Sequence, residues 1–199
     1  MMSQLDLRQL ERKAWQLYHQ DGLVEVFLGL LLLLAFLAGI AGEYRFYLYI
    51  PMLLMGPAII LAKRMITVPR MGQVKFGPAR RAKLRNLRLL AVLVFALTIA
   101  LLIVTLRGSA WVREYHVLLS FGLGALIALL FAAVAHWKDF PRLYLVGLIV
   151  GTAFTLTELL DSPLPMLVAG GAVLAVGLVI LVSFLRKYPL PAPGPGTAN

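Results

Sequence analysis

The chain has 199 residues, of which 61% are hydrophobic and only 14% charged, with a mean hydropathy of +0.87. A water-soluble domain of this length has too few interior positions for so many Leu, Val, Ile and Ala, so hydrocarbon is the expected solvent around most of the chain. The absence of Cys excludes a disulfide framework, a thiolate nucleophile and cysteine-held metal centres, while the net charge of +10 calls for a partner of opposite sign.

In chain order, residues 1–22 come first. Leu7, Leu10, Ala14, Leu17 and Tyr18 recur on one helical stripe, with Arg8, Gln9, Arg12, Gln16 and His19 elsewhere around it. Ser3 and Asp6 are spaced as a capping box, and Asp21-Gly22 is a plausible stop. The expectation is a short amphipathic helix on the membrane surface, with Trp15 and Tyr18 at headgroup level. Asp6, Glu11, Asp21 and Glu25 make a poor n-region for a signal peptide, so the apolar run that follows is read as a retained span.

Six apolar stretches then follow at 26–42, 46–62, 89–106, 117–135, 143–160 and 164–185. A span needs about 20 residues to cross a ~30 Å hydrocarbon core, and tilt or snorkelling absorbs shorter lengths. Backbone polar groups in oil need internal partners, and continuous apolar runs do not alternate as barrel strands do, so the spans are predicted to be helices. Sixteen Lys and Arg fall in residues 1–25, the 63–88 connection, the 136–142 connection and the segment after the last span. Three, Arg45, Arg107 and Arg113, fall on the other side. That bias predicts both termini in the cytoplasm and assigns the basic excess to topology and anionic headgroups, not to nucleic acid.

The second span contains Pro51 and Gly56-Pro57, which remove backbone donors and predict a kink or break. The 63–88 connection is read as a basic cytoplasmic loop. Within it, Met65–Val68 and Gln73–Phe76 flank Pro69-Arg70-Met71-Gly72 as a small hairpin. Gly77-Pro78 then starts a basic helix carrying Arg80, Arg81, Lys83, Arg85 and Arg88 into the third span. These five are the candidate lipid-binding or partner-binding residues, each worth about 1 kcal/mol toward an anionic membrane surface.

Gln20-Asp21-Gly22-Leu23 running into the first span, and Val68-Pro69-Arg70-Met71-Gly72-Gln73-Val74-Lys75-Phe76 after the second, resemble a group of uncharacterised multi-span bacterial membrane proteins. The resemblance implies a bacterial inner-membrane location and carries over no activity and no functional residue.

The later spans carry small residues at helical spacing. Ser120, Gly124, Ala128 and Ala132 step by four through the fourth span, and Gly147, Gly151, Thr155 and Glu158 share a face of the fifth. Ser120, Gly124, Ala128, Gly147 and Gly151 are therefore candidate helix-packing residues. Glu158 is the candidate ion or proton site, since an ionisable group within a span is a functional hypothesis by default. Glu25, at the start of the first span, is read as structural, its carboxylate favoured by the helix N-terminus. Gly170, Gly171, Ala175 and Gly177 suggest another close approach in the sixth span.

Metalloprotease, nucleophile-elbow and phosphate-loop motifs are absent from the sequence, and His116 and His136 lack ligand companions at helical spacing. No enzymatic activity and no cofactor is expected. Residues 188–199, with four prolines, are read as a disordered tail.

The fold class expected is therefore all-α. It is a polytopic transmembrane helical bundle of six spans with both termini inside, a short interfacial helix at 1–22 and a membrane domain at 23–187. The functional expectation is a non-enzymatic membrane component that packs with itself or a partner membrane protein and contacts anionic lipid. The alternative is a small permease or channel, with the kinked second span and Glu158 near the pathway.

Overall fold

The structure, a computed structural model, describes residues 20–71 and 114–189 together with the single positions Arg85, Leu89 and Val92. The predicted interfacial helix, most of the basic connection, the third span and the tail lie outside the described residues. Every regular element among the described residues is helical, and five helices are long and apolar enough to cross a membrane. They are α1 (Leu23–Ile40), α2 (Arg45–Ala62), α4 (His116–Lys138), α5 (Arg142–Leu159) and α6 (Leu164–Lys187), with the short α3 (Val68–Met71) after α2. The predicted spans at 26–42, 46–62, 117–135, 143–160 and 164–185 coincide with these helices apart from a few residues at their ends.

One expectation for the 63–88 connection is corrected. The helix of α2 continues without interruption through a π-helical turn at Lys63–Thr67 into α3, so Met65–Val68 is helix and not the first strand of a hairpin. The β-branched run Ile66-Thr67-Val68 suggested a strand, but tertiary contacts override that preference. Thr67 is held as helix by a hydrogen bond to Asp21, and Arg70 Nη1 donates to the Ile66 carbonyl one turn back. Pro51 and Pro57 likewise sit inside α2 without ending it.

The helices fall into two compact units, residues 1–75 with 170–199, and residues 76–169. In the first unit, α1 packs antiparallel on the 170–187 part of α6 through glycines spaced seven apart on each helix. A Cβ on Gly29 would lie 2.7 Å from Leu174 Cα, and one on Gly177 would lie 2.6 Å from Val26 N. One on Gly170 would meet the Gly29 carbonyl at 3.1 Å. The backbones thus approach as closely as small residues permit, which is how helices associate in lipid without a hydrophobic drive.

In the second unit, α4 and α5 form an antiparallel hairpin. Asp139 ends α4 in the left-handed region at φ 52°, with Phe140 N–H bonded to the Ala135 carbonyl (2.9 Å) and Asp139 N–H to that of His136 (3.3 Å). This is a Schellman turn with Asp where Gly is usual, and the buried Phe140 supplies its apolar contact. Pro141 then starts α5, where a missing N–H costs nothing. Asp161 at φ 45° repeats the device before Pro163 and α6, with Ser162 N–H on the Thr157 carbonyl.

Candidate functional site

The most unusual chemistry lies where α1 begins. Gly22 takes φ +75°, and a Cβ there would also lie 2.6 Å from the Gly177 carbonyl and 2.8 Å from Leu181 N. Only glycine fits this backbone against α6. The turn it makes directs Asp21 back onto its own unit, where the carboxylate is fully buried. Asp21 Oδ1 accepts the Leu23 N–H at 3.1 Å, capping α1, and Oδ2 accepts the Thr67 hydroxyl at 2.7 Å. Lys63 Nζ stands 3.0 Å from the same Oδ2, with its side chain only 11% exposed.

Lys63 and Thr67 are the first and last residues of the π-helical turn, so one irregular turn delivers both groups to one carboxylate. Inserted π turns recur at functional sites because they re-aim side chains. Glu25, one helical turn after Asp21 and equally buried, adds a second carboxylate at the same end of α1. Lys63 and Glu25 each make further interactions besides these. Charges removed from water this completely are held only where partners compensate them.

Sequence reasoning identified Glu25 but took Asp21 as a helix stop and Lys63 as one of many loop charges. A detectable signal existed: Asp21 and Glu25 are spaced (i, i+4), as are Lys63 and Thr67, at the facing ends of two spans.

The predicted packing residues are brought together in the second unit. A Cβ on Gly124 would strike Thr155 and lie 2.7 Å from the Gly151 carbonyl, and one on Gly151 would lie 3.2 Å from Ala128 Cβ. A Cβ on Gly147 would collide with Phe131. Ser120 is buried, its hydroxyl donated to the His116 carbonyl at 2.7 Å, and its own carbonyl accepts from Thr155 at 3.3 Å. Glu158 is exposed, one turn past this contact. Of the basic candidates, Arg85 is helical and exposed, while Arg80, Arg81, Lys83 and Arg88 lie outside the described residues.

Beside the α4–α5 contact runs an open groove of about 360 Å³, lined by Phe121, Ala125, Leu148, Thr152 and Leu156 among others. Its Thr152 and Thr155 hydroxyls already donate to backbone carbonyls, so it offers packing and little polar chemistry. Among the described residues no three His, Cys, Asp or Glu side chains are grouped to hold a metal ion. No family model matches the chain, and neither the curated proteins nor the solved structures contain a match to it.

Proposed function

We propose that the chain is a non-enzymatic component of a bacterial inner membrane, with six spans and both termini in the cytoplasm. It packs with itself or a partner membrane protein, and its basic 63–88 segment contacts anionic lipid. The observation that carries this reading is α2, an 18-residue helix that buries none of its residues. It presents Phe46, Tyr47 and Ile50 near one end and Leu53, Leu54 and Ile60 further on, with Leu53 80% exposed. An apolar face of this extent, with aromatic residues at one end, suits a second protein surface in lipid.

The test is native mass spectrometry of the full chain released from nanodiscs containing anionic and zwitterionic lipid. More than one copy, or a co-purifying membrane protein, is expected, with anionic lipid retained. Arg80→Gln, Arg81→Gln and Lys83→Gln together should remove most of that lipid. A lone chain with no lipid preference overturns the reading.

A second reading, a small permease or channel, is favoured by one observation: the buried group Asp21, Glu25 and Lys63 at the ends of two spans. It predicts proton or cation flux in proteoliposomes that falls at least tenfold in Glu25→Gln or Glu158→Gln. Absence of flux in the parent protein eliminates it.

A further inference from the structure

Within its unit, α2 is attached unevenly. Its N-terminal end follows α1 through the three-residue turn Gly42–Tyr44, and just past its C-terminal end Lys63 and Thr67 are buried on Asp21. Between these points none of its residues is fully buried, and the stripe Leu48, Pro51, Met52, Met55, Ala58 and Ile59 is half-buried. Pro51 and Pro57 have no amide proton to donate to the carbonyls of Tyr47 and Leu53, so the helix is weakly braced along its length. At Lys63–Thr67 the bonding pattern changes again, to the wider π turn. A helix half-buried along one face and weakened by two prolines can bend at that stretch once the tie at its C-terminal end is released.

The tie at Asp21 is made of charge. A buried ion pair holds a structure no better than well-packed apolar side chains of the same volume, and often less well. What distinguishes it is that loss of either charge opens it. We propose that Asp21, Lys63 and Thr67 form a latch. Closed, it holds the C-terminal end of α2 on the start of α1. When Asp21 is neutralised or Lys63 withdrawn, that end of α2 swings out about the Pro51–Pro57 stretch and uncovers Asp21.

Among the described residues, the charged group paired with Asp21 is Lys63 from the π turn, and Glu25 lies one turn along α1. From α6 the neighbours of Gly22 are Gly177, Ile180 and Leu181, none of which titrates. The latch lies within one chain, so it stands or falls separately from the assembly reading.

The chain has no cysteine, so spin labels can be placed cleanly at Arg64→Cys and Arg186→Cys, two exposed positions of the same unit. Pulsed electron paramagnetic resonance on the full chain in nanodiscs, diluted with unlabelled protein, reads their separation. The parent should give one narrow distribution. Asp21→Asn with Lys63→Met, which removes both charges of the pair, should add a population displaced by about 5 Å, on the order of one helical turn. Thr67→Val should give a smaller fraction of the same population. A merely stabilising contact would lower the melting temperature and leave the distances alone. That result in the folded double variant overturns the latch; should that variant not fold, an unchanged distribution in Thr67→Val does so equally.

Discussion

Lys63→Met is expected to destabilise the protein by about 3–5 kcal/mol, because it leaves the fully buried Asp21 carboxylate without its cation. Thermal unfolding in mild detergent should show a fall on the order of 10 °C. Asp21→Asn combined with Lys63→Met should recover part of that loss, since the amide oxygen still accepts from Leu23 N–H and the uncompensated Asp21 charge is gone, although the amide nitrogen that replaces Oδ2 no longer accepts the Thr67 hydroxyl. The recovery separates a buried pair from a surface one. An exposed ion pair would cost about 0–1 kcal/mol to break and would weaken with salt. This one should be nearly indifferent to ionic strength, because solvent ions do not reach it. Equal losses in the single and double variants would show that Lys63 acts through something other than Asp21.

The second large effect concerns the glycines between α1 and α6. Gly177→Val should cost at least 1–3 kcal/mol, the usual range for overpacking, and more here, because the atoms its Cβ would meet, Val26 N at 2.6 Å and Glu25 C at 2.9 Å, are backbone and cannot rotate away. The two helices would have to separate along their whole contact. Gly171→Ala, six residues earlier on the same helix, is the internal control. Nothing lies within 4 Å of its Cβ, so the substitution should be neutral or stabilise by up to about 1 kcal/mol through helix propensity. Comparable melting temperatures for the two variants would mean that α1 and α6 do not meet through this face.

How much of this could be read from the sequence follows from the range of each signal. Span positions are a property of contiguous residues, and the described helices coincide with the apolar runs to within a few residues. The α4–α5 contact was visible because Ser120, Gly124 and Ala128 repeat at the period of one helix, as do Gly147 and Gly151. The α1–α6 contact was half visible. Gly170 and Gly177 were evident, but Gly22 and Gly29 are seven apart and interrupted by Leu and Glu, so the matching spacing shows only when both helices are laid together.

The Asp21 cluster was least legible. Its partners are separated by more than forty residues, and a Lys just after an apolar run ordinarily reads as an interface anchor. The π turn was also hidden, since Ile66-Thr67-Val68 favours a strand and only the burial of Thr67 on Asp21 decides for helix.

The pairing of α1 with α6 joins two segments of the chain that are made far apart in time. Gly22 and Gly177 are separated by roughly 150 residues, which at about 5–20 residues per second takes on the order of 10–30 s to synthesise. For that interval the ribosome-bound intermediate carries a glycine seam whose counterpart does not yet exist. Premature stop codons anywhere before α6 should therefore yield products that quality-control proteases recognise, however complete the preceding helices are.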